Sequence, residues 1–287
     1  MSKRTHSLGI LYQDNAGCGI THEYFAAVLN GFKIQAENKG YEITFINCHK
    51  DIEGRKRYLE HIQERKIEGV AIICSDFKDP EVIELLGSDV PVVTIDEPYE
   101  GVISILSDNE QGIKNLVYHI AGMGHDKIAY IHGDMNTVTS IRLNGFKDAC
   151  KKMGIKVPKE YIRSCNYRDI NKASFETEEL LRLPDPPTCI IYPDDYAAIG
   201  GINIIKAYGM SIPDDISIAG YDGIDIPSRY DPHITTIAQD MKGMGTIAAD
   251  RLISLIEAPE EMTDLNDVVV ETRLNEGNTI KLISKEK

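Results

Sequence analysis

Two phrases in the second half of the chain carry carboxylates where ligand chemistry is expected: PTCIIYPDDYAAIGG (187–201) and GMSIPDDISIAGYDG (209–223). In the first phrase an apolar strand runs into a polar turn that contains Asp194 and Asp195. In the second phrase a strand ends at Asp222. Ligands of open α/β sheets bind outside the carboxyl ends of parallel strands. We therefore expect both phrases to bring carboxylates to one rim of one sheet.

These carboxylates lack the companions that catalysis requires. We find no activated nucleophile, metal-ligand cluster or phosphate-binding loop in a suitable context, so the sequence predicts neither a catalytic site nor a metal or cofactor. The GMGTIAA run at 243–249 does not open a βαβ unit, and the acidic residues near Asp222 match no calcium loop. The pattern favours hydrogen bonds to a polyhydroxyl ligand and argues against an enzyme.

The elements that must position these groups alternate between strands and helices. Segments with helical periodicity, many ending in glycine, separate eight apolar runs that predict strands at 7–12, 41–47, 69–75, 91–96, 102–107, 127–133, 188–193 and 216–222. This alternation predicts an α/β protein with parallel sheets that are covered on both faces. So many units indicate two sheets, with a division near Ser107–Asp108. The alternating tail at 267–282 predicts an antiparallel hairpin or edge strands.

Composition narrows the range of partners. The 287 residues carry a formal net charge of −14. Because binding to the phosphates of nucleic acid needs a basic surface, this charge argues against nucleic-acid binding by this chain alone. The six cysteines are far apart and have no metal-ligand spacing, a pattern typical of reduced thiols in a cytoplasmic protein. The chain shows neither a signal peptide nor an apolar run long enough to span a membrane, so we expect no membrane association.

Phrases along nearly the whole chain resemble, in order and spacing, the effector-binding core of the LacI/GalR family of bacterial transcription regulators. They include KRTHSLGILYQD, ILSDNEQG, GMGHDKIAYIHG, IRLNGFKDAC and HITTIAQDMKGMGTIAADRLI, besides the two acidic phrases. The resemblance implies two Rossmann-like subdomains with parallel sheets, a type I periplasmic-binding-protein-like fold with three crossovers and a ligand cleft between the subdomains. The first subdomain would comprise 6–107 plus 239–265, and the second 108–238 plus 266–287.

The resemblance also implies partners. Family members begin with a helix-turn-helix DNA-binding domain and a hinge helix. This sequence starts at the phrase that follows the hinge helix in the family. It therefore implies a cytoplasmic homodimer that contacts operator DNA through an N-terminal module outside this sequence. Its other partner would be a small-molecule effector.

The family pattern assigns four binding roles in the second half. It makes Arg142 the main ligand anchor, since a guanidinium can hold vicinal hydroxyls or a carboxylate with two hydrogen bonds. Asp222 would accept hydrogen bonds from ligand hydroxyls, and Asp194 occupies a position where the family often has asparagine. Tyr167 would lie against a flat face of the ligand. We expect Asp195 to be the N-cap of the following helix.

Six further residues are candidates for ligand contact. Asp14 and Asp96 lie at the ends of predicted strands, and Tyr24 and Phe25 lie at the start of the first helix. Gln239 and Met241 lie where the chain crosses back between the subdomains. We expect Tyr24 at the rim of the site and Phe25 in the core. His125, in the GMGHDK phrase, is expected to be structural.

Several carboxylates around one arginine favour a neutral sugar, because an anionic ligand would face Asp14, Asp96, Asp194 and Asp222 together. A purine remains an alternative ligand, because a planar base can stack on the Tyr167 ring. Two other classes of protein remain as alternatives. A solute-binding protein of a sugar transport system (ribose-binding type) shares the fold but would need an export signal. An enzyme on a doubly wound fold would need the catalytic groups that we do not find.

Overall fold

The computed structural model describes residues 4–13, 19–46, 56–224, 232–261 and 266–283. The chain forms two compact units, Met1–Ser107 with Asp240–Val270, and Asp108–Gln239 with Glu271–Lys287. The chain passes from one unit to the other three times. Its last passage follows Val270, five residues later than the boundary expected from the sequence.

The described residues form twelve strands and eight α-helices. The strands are β1 (Ser7–Tyr12), β2 (Glu42–Phe45), β3 (Gly69–Cys74), β4 (Val92–Ile95), β5 (Ile103–Ser107), β6 (Ile128–His132), β7 (Ile162–Ser164), β8 (Cys189–Ile191), β9 (Ser217–Asp222), β10 (Thr235–Gln239), β11 (Val268–Val270) and β12 (Thr272–Asn275). The helices are α1 (Glu23–Asn38), α2 (Tyr58–Arg65), α3 (Pro80–Leu86), α4 (Asn109–Gly122), α5 (Thr137–Lys152), α6 (Ile170–Leu181), α7 (Asp195–Ala207) and α8 (Met241–Glu257).

Each unit contains one six-stranded sheet. In the first unit the order is β11-β5-β4-β3-β1-β2, and all neighbouring strands are parallel. In the second unit the order is β12-β10-β9-β8-β6-β7, and only β12 is antiparallel to its neighbour. The prediction of an α/β protein with parallel sheets is confirmed.

The sheet of the second unit is covered by helices on both faces. One core cluster includes Ile113, Leu116 and Phe146 from α4 and α5, and the other includes Ala173, Ile202 and Ile205 from α6 and α7. Strands between two such layers must be apolar on both faces. This explains why the strands read as continuous apolar runs rather than as alternating ones.

The C-terminal tail supplies an edge strand to each sheet. β11 pairs with β5, with Val268 opposite Ile105, whereas β12 pairs with β10, with Leu274 opposite Ile237. The edge-strand alternative is therefore confirmed and the hairpin is wrong. Because β11 belongs to the sheet of the first unit, the boundary between the units shifts to Val270.

Three elements, β7, β10 and α8, do not correspond to any segment predicted from composition and periodicity. β7 has only three residues, and β10 begins with two buried threonines that weaken its apolar signal. α8 contains glycines that favour a loop by propensity. They are needed for close packing on α1, since a Cβ at Gly245 would lie 1.9 Å from the Val28 carbonyl oxygen, and one at Gly31 would lie 2.1 Å from the Lys242 carbonyl oxygen.

Two smaller expectations can be compared with the structure. His125 is buried, with Nδ1 2.9 Å from Thr188 Oγ1 and Nε2 3.0 Å from the Lys281 carbonyl oxygen, which confirms its structural role. Cys74, Cys150, Cys165 and Cys189 are free thiols, and the remaining two cysteines lie outside the described residues. Within the described ranges, no helix is both long and apolar enough to cross a bilayer.

Candidate functional site

Arg142 lies in the second turn of α5 and is held on three sides. Its side chain is buried, with 3% of the residue exposed. Nε donates to Asn109 Oδ1 at 2.7 Å, Nη1 donates to the Pro193 carbonyl oxygen at 3.2 Å, and the guanidinium carbon lies 3.6 Å above the centre of the Tyr221 ring. A guanidinium stacked and bonded in this way is ordered before any ligand arrives, which lowers the entropy cost of binding.

Asp222 ends β9 beside that guanidinium. Its Oδ1 accepts a hydrogen bond from Gln239 Nε2 at 2.7 Å and lies 4.0 Å from Arg142 Nη2. Its backbone φ of 100° lies in the left-handed region, which turns the chain as the strand ends. Burial raises the pKa of Asp222, and the positive charge of Arg142 opposes that rise. A hydroxyl at this rim therefore meets a carboxylate acceptor beside a guanidinium donor.

The neighbouring pair Asp194–Asp195 corrects one sequence expectation. Asp194, not Asp195, is the N-cap of α7: its carboxylate accepts from the N–H groups of Ala197 at 2.8 Å and Arg168 at 2.7 Å. Burial, reinforced by the negative charge of Asp222, raises the pKa of Asp194 to about 6. Because both oxygens of Asp194 hold backbone donors, this residue positions the site more than it offers acceptors to a ligand.

Asp195 is the first residue of α7 and is also buried. Its Oδ2 accepts from the N–H groups of Gly223 at 2.8 Å and Ile224 at 3.0 Å. Burial raises its pKa well above the ordinary value of an aspartate. These bonds tie the start of α7 to the turn that follows Asp222, so Asp195 helps to fix the position of that carboxylate.

Tyr167 supplies an aromatic face near the same residues. Its hydroxyl lies 2.8 Å from Thr139 Oγ1 in the first turn of α5. The ring packs directly on Gly133, where a Cβ would come within 2.3 Å of it. One face of the half-buried ring is thus fixed by a residue without a side chain. The structure brings Tyr167 together with Arg142, Asp222 and Asp194, as the sequence analysis expected.

Three residues of this site were missed by sequence reasoning: Asn109, Tyr221 and Arg168. Asn109 and Tyr221 lie inside phrases that carry the family resemblance, ILSDNEQG and SIAGYDG, and position Arg142. Arg168 follows Tyr167 in a left-handed conformation with φ of 59°, and its guanidinium carbon lies 4.2 Å from the centre of the Tyr196 ring. A single arginine in an irregular segment has no periodic signal that could have identified it.

The remaining candidates lie in the first unit, where two expectations are reversed. Tyr24 is 6% exposed, donates its hydroxyl proton to Asp96 Oδ2 and lies 3.5 Å from Met244 Sδ. Phe25 is half-buried and packs edge-on against Tyr12, with ring centres 5.5 Å apart. Tyr24 is therefore the more buried of the two rings, because its hydroxyl has polar partners inside the unit.

Asp96 follows β4 in a left-handed conformation with φ of 60°. Met241 is buried at the first position of α8, and Asp14 lies outside the described residues. The structure thus brings Tyr24 and Asp96 together within the first unit. A ligand contact by either of them, or by Met241, stays a prediction.

Comparison with known proteins shows which family this chain belongs to. Residues 117–280 match the model of the periplasmic binding protein-like domain. The repressor PurR of Photobacterium profundum is 30% identical over 242 residues, which cover 83% of this chain and 72% of the relative. The ribose operon repressor of Escherichia coli is 26% identical over 261 residues, covering 89% of this chain and 77% of the relative. Both relatives are repressors.

A solved structure has the same fold. The LacI family transcriptional regulator from Enterococcus faecium, crystallised with bound ribose, superimposes with a TM-score of 0.81 at 23% identity, covering 97% of this chain and all of the other.

Proposed function

Because this chain belongs to the periplasmic binding protein-like family and is the effector-binding core of a LacI-type transcriptional regulator, we propose that its effector is a small, hydroxyl-rich molecule of the sugar class. The effector binds at the rim of the second unit's sheet, against Arg142, Asp222 and Tyr167. The bound effector then alters how the regulator binds operator DNA. We also propose that the regulator acts as a homodimer, as the family resemblance implies.

The observation that carries this proposal is the pairing of Arg142 with Asp222. A guanidinium N–H and a carboxylate oxygen lie 4.0 Å apart at one strand end. A sugar presents neighbouring hydroxyls, each of which can donate one hydrogen bond and accept another. One hydroxyl can accept from Arg142 while its neighbour donates to Asp222. Hydrogen bonds to ionised partners are roughly twice as strong as those between neutral groups.

Two further features support a sugar. The half-buried Tyr167 ring packs on Gly133 on one side, and we expect the C–H groups of a sugar ring to pack against its other face. Among the similar proteins, one is a ribose operon repressor and another was crystallised with ribose.

As a sensor, the protein needs only a difference in ligand affinity between two states. A ligand shifts a conformational equilibrium by the ratio of its affinities for the two states, and the coupling to a second ligand is reciprocal. Effector and operator DNA therefore influence one another's affinity by the same factor. Asp195 joins α7 to the turn after Asp222, so a ligand bound at Asp222 can influence the position of α7 through it.

A thermal-shift screen against neutral sugars, sugar acids and purines tests the proposal. A compound present at 100 times its dissociation constant should stabilise the protein by about 2.7 kcal/mol. Arg142→Lys and Asp222→Asn should each weaken binding of that compound at least about tenfold, equivalent to about 1.4 kcal/mol. Circular dichroism and the melting temperature without ligand establish that both variants fold.

Matched controls come from the same unit. Arg163→Lys changes an arginine that lies 4.0 Å from Glu176, and Asp185→Asn changes an exposed aspartate paired with Lys127. Both controls should bind the compound as the wild type does. If folded Arg142→Lys and Asp222→Asn also bind it with wild-type affinity, the site lies elsewhere and the proposal is wrong.

A further inference from the structure

The site contains a second guanidinium, Arg168, in addition to the family anchor. Its backbone N–H is fixed by Asp194 at 2.7 Å, directly after Tyr167 in the chain. Its positive charge acts on Asp222, where it joins Arg142 in opposing the rise in pKa that burial causes. Arg168 therefore belongs to the same group of residues as Arg142, Asp222 and Tyr167.

The guanidinium of Arg168 has no hydrogen-bond acceptor among the residues that the structure describes. It forms no ion pair with those residues either, and Nη1 is shielded from water without a partner. It is held instead by stacking over the Tyr196 ring. Arg142 differs, because Asn109 and the Pro193 carbonyl already occupy two of its donor nitrogens. A guanidinium stacked on a ring keeps its edge available for a planar carboxylate.

The charges around Arg168 are more favourable to an anion than the sequence suggested. Both Asp194 oxygens accept backbone N–H groups, and Asp195 is buried and bonded to two more. Asp222 lies 4.0 Å from the Arg142 guanidinium, and the positive charges of both Arg142 and Arg168 oppose the rise in its pKa. Of the carboxylates expected around the ligand, Asp194 is thus already engaged by the backbone through both oxygens, while the positive charges of Arg142 and Arg168 both act on Asp222.

We propose that Arg168 binds a carboxylate of the effector, so that the effector is a sugar acid, a small polyhydroxyl compound with one carboxylate, rather than a neutral sugar. This inference rests on the proposed function, since Arg142, Asp222 and Tyr167 hold the hydroxylated part of the same molecule. It reverses the expectation from sequence that an anionic ligand is disfavoured. Arg168 is then the residue that determines specificity for the acid.

Paired compounds test this inference by calorimetry. We would titrate wild-type protein with D-galacturonate, D-glucuronate and D-gluconate, each beside its neutral counterpart D-galactose, D-glucose or D-glucitol. An acid should bind at least about tenfold more tightly than its neutral counterpart, and its affinity should fall as salt is raised. Arg168→Gln should remove that preference, whereas Arg168→Lys, which keeps the charge, should retain part of it. Arg163→Gln serves as the control.

The outcomes separate this inference from the proposed function. If a neutral sugar binds as tightly as its acid, or if Arg168→Gln weakens both members of a pair equally, Arg168 is not the carboxylate receptor and the inference is wrong. The proposed function then stands. If no sugar, neutral or acidic, binds the folded wild type, the proposed function fails and this inference fails with it.

Discussion

Asp194 and Asp195 are adjacent buried carboxylates with different roles. Asp194 caps α7 and holds the backbone of Arg168, whereas Asp195 holds the turn after Asp222. The sequence identified the pair but assigned the cap to the wrong member. Helix boundaries inferred from residue types are uncertain by one or two positions, and two identical residues at a helix start give no means of choosing between them.

The raised pKa of Asp194 predicts a measurable pH dependence of stability. Its pKa rises from 3.8 to about 6, mainly because of burial. Its favourable contribution to folding is complete below about pH 3.8 and is lost as the pH rises through about 6. In Asp194→Asn this dependence should disappear. The difference in unfolding free energy, wild type minus variant, should therefore fall as the pH rises from below about 3.8 to above about 6, by up to about 3 kcal/mol over that whole span.

Urea denaturation at several pH values measures this difference. Asp169→Asn is the control for loss of a helix cap, because Asp169 caps α6 in the same unit and is only half-buried. A difference for Asp194→Asn that stays constant or grows with pH would show that the carboxyl is not protonated near pH 6.

At the scale of elements, the packing of α1 on α8 organises the first unit. Gly31 and Gly245 bring the two helix backbones so close that a Cβ at either position would overlap a carbonyl oxygen. Propensity disfavours glycine inside a helix by about 1 kcal/mol relative to alanine. The close contact between the helices reverses that preference here, because a backbone cannot move aside as a flexible side chain can.

Gly245→Ala should therefore destabilise the protein despite the better helix propensity of alanine. Overpacking of this kind costs about 1–3 kcal/mol, which chemical denaturation can measure. Gly87→Ala is the control, since its Cβ would meet only ordinary contacts at 3.5 Å and 3.9 Å. That substitution should change the unfolding free energy by less than about 0.5 kcal/mol. Equal stability of the Gly245→Ala variant and the wild type would contradict this account of the helix contact.

The strands that form continuous apolar runs were predicted correctly from the sequence. The elements that were missed contain residues chosen by tertiary packing and not by local propensity. All eight predicted strands are present, since both faces of each sheet need apolar residues. β10 was missed because Thr235 and Thr236 are buried polar residues, and α8 because its glycines meet a requirement of tertiary packing. Arg142 was identified through the family resemblance, whereas Asp222 was already indicated by its position at the carboxyl end of a strand. Arg168 was missed because nothing local distinguishes it from a solvated arginine.

At the scale of the whole molecule, net charge is a poor guide to the site. The chain carries a net charge of −14, yet Asp222 lies 4.0 Å from the Arg142 guanidinium and is also subject to the positive charge of Arg168. Charges farther away than a Debye length, about 8 Å at physiological salt, contribute little to a ligand at that rim. The local arrangement of charges therefore decides what binds at that rim, and the net charge of the chain does not.

A crystal structure of the protein with the best compound from the screen tests most directly whether the effector binds at Arg142 and Asp222. Ligand oxygens should lie within about 2.7–3.2 Å of Arg142 and Asp222, with the ring of the ligand against Tyr167. If the compound is an acid, its carboxylate should lie against Arg168. A ligand bound at full occupancy without contact to Arg142 or Asp222 would contradict the account.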